Sequence, residues 1–148
     1  MTLPNRREAI AVELVRVLSN IRDPKPPFVS REPVTPSKLS AQQLPAIVVT
    51  TGSEERSDMT QTSSSSGRLR RGLIAFTLDC YTKGQPVDTA INHLIEAIEE
   101  AVEEDRTLNG TCDSIQVAEI NADSGREPPM GEFAVSVVAQ YTYRRGNP

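Results

Sequence analysis

Few side chains in this sequence are of types that do chemistry, and their spacing decides what is left to them. His93 is the only histidine; it stands between Asn92 and Leu94, one step from an apolar stripe. A general base needs a nucleophile or carboxylate held against it, and none can be placed here, so a solvent-edge histidine is the expectation. Cys80 lies in a strand-like run and Cys112 follows a turn, with no CxxC spacing and no cluster of His or Asp beside either. That pattern suits neither a metal site nor a redox pair, and two reduced thiols, at least one in the core, are predicted. Asp79 would need a second carboxylate to do acid–base work and reads instead as a lone aspartate on the polar face of a strand. The glycines form no GxGxxG, no Walker loop and no GxSxG elbow. The chain is therefore expected not to be an enzyme, and to hold no metal or cofactor.

The remaining charge is grouped. Glu96, Glu99, Glu100, Glu103, Glu104 and Asp105 crowd the second half of one helical segment, with like charges four apart at 96/100, 99/103 and 100/104. Each such contact costs about 0.2–0.5 kcal/mol, and all lie at the negative end of the helix dipole. Arg68, Arg70 and Arg71 form the basic run that would suit such a surface. Two readings stay open: a solvated acidic face that keeps the protein soluble, or a contact in which one copy's arginines meet the next copy's glutamates. A head-to-tail contact of that kind closes into a ring or grows a filament. Sixteen basic against twenty acidic residues give a net charge of −4, which lacks the footprint of a general nucleic-acid binder.

These groups must be positioned by a chain of 148 residues, the size of one ordinary domain. Apolar residues make up 37% and aromatics 4%, with no tryptophan, so an aliphatic core of modest size is expected. No apolar run reaches membrane-spanning length, and the first residues lack the apolar core and cleavage site of a signal peptide, which predicts a cytoplasmic protein. Ile10, Leu14, Val17, Leu18 and Ile21 predict a helix over residues 5–20, with Asn5 and Glu8 as a capping box and Asp23-Pro24 as the stop. Residues 23–45 hold Pro24, Pro26, Pro27, Pro33, Pro36 and Pro45, too many for a helix or a central strand. They read either as an extended arm or wrapped loop, pinned to the body or to a neighbour by Phe28 and Val29, or as an ordinary surface linker.

Strands are predicted at 46–51 and 69–82, the second with Ile74, Phe76, Leu78 and Cys80 on one face. Between them lies a polar insert at 53–68, including Ser63 to Ser66, which cannot bury enough apolar surface to fold alone and reads as a mobile flap. Pro86 opens a second helix whose Val87, Ile91, Leu94, Ile95, Ile98 and Val102 form one stripe. After a loop at Leu108-Asn109-Gly110 come a strand at 114–122, a polar turn at 123–130 and a last strand at 132–144. In that strand Phe133, Val135, Val137, Ala139, Tyr141 and Tyr143 alternate with more polar positions. The fold predicted is one α+β domain, a mainly antiparallel sheet of about four strands with two helices on one face.

The run LPAIVVTTGSEE, the long polar insert, the run LIAFTLDCYTKG, a helix, and a closing pair ending GEFAVSVVAQYTYRR together resemble the tail terminator proteins of long-tailed phages. The likeness covers most of residues 44–145, and the first helix fits in type and position; the proline-rich arm is longer than that family leads one to expect. The resemblance implies a virion structural protein: a hexameric ring that caps the head-proximal end of the tail tube, stops its polymerisation and joins it to the head connector. It implies as partners further copies of the chain, the tail tube protein, a connector or neck protein and, in a contractile tail, the sheath protein. DNA would pass through without specific binding, and no membrane is involved. On this reading Arg68, Arg70, Arg71, Glu54 and Glu55 are the candidate contacts with the tube or a neighbour, and Glu99, Glu100, Glu103 and Glu104 face the lumen or a neighbour. The insert becomes an assembly arm that orders on docking. The rival readings are another neck or head–tail completion protein and a small α+β ligand-binding or regulatory module, which would need a concave apolar pocket.

Overall fold

The computed structural model describes residues 5–58, 69–122 and 130–144. Helix α1 (Arg6–Ser19) begins where Asn5, in extended conformation, accepts a hydrogen bond from the Glu8 amide. Its stripe of Ile10, Ala11, Leu14, Val17 and Leu18 is buried. Helix α2 (Val87–Glu104) follows Pro86, which sits at the N-cap rather than inside the first turn, and buries Ile91, Leu94, Ala97, Ile98 and Val102. Each of these larger side chains contributes about 1.5–3 kcal/mol on leaving water. After α2 the chain turns through Leu108, Asn109 and Gly110, all with positive φ; the buried Leu108 side chain holds this left-handed turn against the core.

The strands are β1 (Phe28–Ser30), β2 (Ala46–Asp58), β3 (Leu69–Lys83), β4 (Ser114–Asn121) and β5 (Met130–Arg144). They form one sheet in the order β1-β2-β3-β5-β4. The fold is thus α+β, as expected, but the sheet has five strands and is mixed, because β1 runs parallel to β2. Ile47, Val49, Ile74, Phe76, Leu78, Cys80, Ile115, Phe133, Val135, Val137 and Ala139 face the two helices and form the main core with them. On the other face Ala46, Val48 and Tyr81 are covered by Phe28, Val34, Leu39 and Leu44. The proline-rich segment is therefore folded onto its own sheet, through β1 and two short 3-10 turns at Pro36–Lys38 and Ala41–Gln43. A three-residue edge strand needs few amide donors, so the prolines around it do no harm.

The first of the long strands runs beyond the 46–51 that its apolar residues predict. β2 continues past Thr51 to Asp58, and Asp58 stands opposite Arg70 in a long hairpin with β3. Residues 53–58 of the expected flap are sheet; residues 59–68, with the serine run and Arg68, lie outside the described residues, as do 123–129 of the expected polar turn.

Candidate functional site: an arginine–tyrosine cluster and a divided acidic helix

One break in strand period positions the main polar cluster. Thr51 stands opposite Phe76 but Glu54 stands opposite Ile74, so two residues of β2, Gly52 and Ser53, oppose one of β3. This is a β-bulge. A Cβ at Gly52 would lie 2.9 Å from the Ala75 carbonyl oxygen, which is why the inserted residue has no side chain. Before the bulge the odd residues Ile47 and Val49 face the helices; after it the even residues Glu54, Arg56 and Asp58 do. The alternation of β5 brings Tyr141 and Tyr143 to the same side, opposite Gly72 and Arg70. Helix α1 starts at this end of the sheet and adds Arg6 and Arg7.

Glu54 is the hub, with its side chain only 6% exposed. Its Oε2 accepts from the Tyr141 hydroxyl at 2.6 Å and from Arg56 Nε at 2.6 Å. Arg7 Nε lies 3.4 Å from Oε1 without making a hydrogen bond. The Arg6 guanidinium stands over the Tyr141 ring at 5.7 Å and donates to the Thr111 carbonyl at 3.1 Å. Arg56 stands over the Tyr143 ring at 5.1 Å. Arg70 pairs with Asp58 at 3.0 Å and approaches the Tyr143 hydroxyl at 3.4 Å. Burial, and then the hydrogen bond to Glu54, push the Tyr141 phenol up to about 12. The Glu54 hydrogen bond in turn favours the charged form of Arg56. Four guanidinium groups face two carboxylates, so the cluster carries an excess of two positive charges. The cluster offers no nucleophile; it is built to hold cations in place at a surface.

The predicted contact residues are divided by the sheet. Glu54 and Arg70 belong to the cluster, whereas Glu55 and Arg71, one step away on each strand, point to the opposite face, where Arg71 Nε is buried without a hydrogen bond. Arg70 and Arg71 therefore cannot act as one basic run. Arg6, Arg7, Arg56, Tyr141 and Tyr143 join the site although charge grouping along the chain did not single them out. Gly52, an isolated glycine at the end of an apolar strand, was the signal that could have found the bulge and with it Arg56.

The acidic helix is divided too. Glu99 and Glu103 line a groove of about 380 Å³ between α2 and β4, together with Gln116, Val117, Ala118, Glu119 and Ile120. Glu100 and Glu104 line a cleft of about 630 Å³ between α2 and α1, with Val17, Ile21, Ala97 and Ala101 as its apolar floor and Arg16 and Arg22 on its far wall. Asp105 pairs with Arg16 at 2.9 Å and is no part of a free acidic face. Glu103 has Arg106 at 3.9 Å, both well exposed.

The residues first considered for chemistry are dispersed. His93 is half-exposed at the surface, 3.4 Å from Asp23. Cys80 is fully buried and Cys112 nearly so; burial pushes the Cys80 thiol well up and the Cys112 thiol up to about 11. Asp79 does lie near a second carboxylate, since burial and then Glu132 raise its pKa, but on the sheet face away from the helices. Among the described residues no three His, Cys, Asp or Glu side chains are grouped to hold a metal ion, and no helix is long and apolar enough to cross a membrane. Compared with known proteins, the chain matches no family model and no curated protein sequence.

Proposed function

We propose that this chain is a virion structural protein, a tail terminator that forms a hexameric ring on the head-proximal end of a phage tail tube, stops its growth and presents a surface to the head connector. The observation that carries the reading is the separation of charge on one small domain: a cationic cluster at one end of the sheet and two acidic rows on α2. A subunit with unlike surfaces of opposite charge is suited to head-to-tail assembly. The row Glu100 and Glu104, beside the α1 cleft, is assigned to the channel, where carboxylates repel passing DNA. Screening over about 8 Å at physiological salt confines that effect to groups near the wall.

Electron microscopy of tail tubes assembled with the protein tests the reading: caps of sixfold symmetry at one tube end are expected, and bare ends or caps of another rotational order refute it. The cleft between α1 and α2 favours a second reading, a small ligand-binding module, because its floor is apolar and its walls carry both signs of charge. A monomer that binds a small molecule tightly and ignores tail tubes would establish that reading instead.

A further inference from the structure

We infer that the groove between α2 and β4 receives the arginine–tyrosine end of a second copy of this chain. The inference rests on the ring reading and specifies its contact. The groove has an acidic wall, Glu99 and Glu103 from α2, and an apolar lip at Ile120 of β4, whose register opposite Val135 turns it toward the helix side. Ile120, at 38% exposed, is one of two large exposed hydrophobic side chains among the described residues. The arginine end has the opposite sign, and its guanidinium groups reach solvent, with Arg7, Arg56 and Arg70 side chains 45%, 35% and 30% exposed. Arg7, the most exposed of them, is held 3.4 Å from Glu54 Oε1 by charge alone, with no hydrogen bond.

A molecule cannot satisfy this contact by itself. Glu119 stands opposite Ser136 on β5, whereas Arg70 stands opposite Tyr143, seven residues further along the same strand. At about 3.4 Å per residue that is roughly 24 Å, beyond the reach of any side chain. The surfaces are also unlike, so their union is head-to-tail and leaves each copy with one free surface of each kind until a ring closes. Joining by strand addition is disfavoured, because β4 has a register break between Val117 and Glu119 and the free part of β2 has one at Gly52. Bulges blunt sheet edges. Side chains therefore make the contact.

The test uses two charge-reversed forms of the full chain. One carries Glu99→Lys and Glu103→Lys; the other carries Arg7→Glu and Arg70→Glu. Circular dichroism and melting temperature are read first, and should the arginine form melt well below wild type, Arg70→Glu alone, whose partner Asp58 is itself exposed, replaces it. In sedimentation at low salt each form alone should self-associate about tenfold more weakly than wild type, or not at all. Mixed in equal amounts they should assemble in alternation, since a lysine groove then meets a glutamate end and a glutamate groove meets an arginine end. The inference is overturned if wild type stays monomeric at millimolar concentration, if either form associates as wild type does, or if the mixture fails to assemble. Tail tubes added afterwards separate the two levels: rescued rings that do not cap tubes count against the terminator reading alone.

Discussion

Gly72→Ala is a one-carbon change that the structure predicts to be costly. A Cβ at this position would lie 2.5 Å from Tyr141 Cε1, 2.8 Å from its Cζ and 3.0 Å from Glu54 Oε2. Carbon atoms in contact prefer about 3.5–4.0 Å, so one of the two strands or the ring has to move by roughly 1 Å. The ring has little freedom to do so: it is fully buried, its hydroxyl is held by Glu54 at 2.6 Å, and the Arg6 guanidinium stands over its face. Overpacking of this kind costs about 1–3 kcal/mol. Against it stands the gain of about 0.4–1 kcal/mol from removing glycine's freedom in the unfolded chain. The clash wins, with a net loss of about 1–2 kcal/mol and a fall in melting temperature of about 3–8 °C for a chain of this size.

Thermal and urea unfolding measure the loss, and a second background identifies its cause. In a Tyr141→Leu chain, where the aromatic edge is gone, the same Gly72→Ala change should be neutral or stabilising. An equal loss in both backgrounds, or no loss in the first, would refute the packing argument and with it the reason Tyr141 is held against Glu54.

Further expectations follow from the same groups. The raised pKa of Tyr141 means that its stabilising contribution is complete below pH 10 and is lost as pH rises through about 12, because the unfolded phenol releases its proton first. Stability measured against pH should fall in that window in wild type and fall less in Tyr141→Phe, and spectroscopic titration should find a late-ionising phenol in wild type that is missing in Tyr141→Phe. Cys80 and Cys112, both buried with raised thiol pKa values, should resist a thiol reagent in the folded protein and react once it is unfolded by urea; rapid labelling of either without unfolding would contradict their placement. Glu100→Lys with Glu104→Lys should leave ring assembly intact but impair DNA delivery in phage particles, whereas Glu99→Lys with Glu103→Lys should block assembly. Identical phenotypes for the two pairs would refute the division of the acidic helix.

The helices were legible because their apolar stripes recur at a period that no other structure satisfies, and β5 because Phe133 to Tyr143 alternate without interruption. β1 was not, since the prolines around Phe28 argue against strand and its pairing with Ala46–Val48 is a matter of tertiary register. The cluster was half visible. Glu54 and Arg70 were singled out by charge, but the side of the sheet each faces depends on the bulge at Gly52, and a one-residue shift exchanges Glu54 for Glu55. Arg6 and Arg7 enter from a helix whose N-terminus meets β2 and β5 only in the folded chain, a relation that spacing along the sequence cannot carry. The split of the four glutamates follows from helix geometry once α1 and β4 are placed on either side of α2.

The central claim is that this protein ends tube growth by closing a ring on one end, and following tail-tube polymerisation in its presence measures that most directly. Tail-tube protein alone should elongate until it is depleted. Adding this chain in excess should stop elongation, with one sixfold ring at a single end of every arrested tube. Elongation at an unchanged rate, or arrest with no added density at the tube end, would contradict the account.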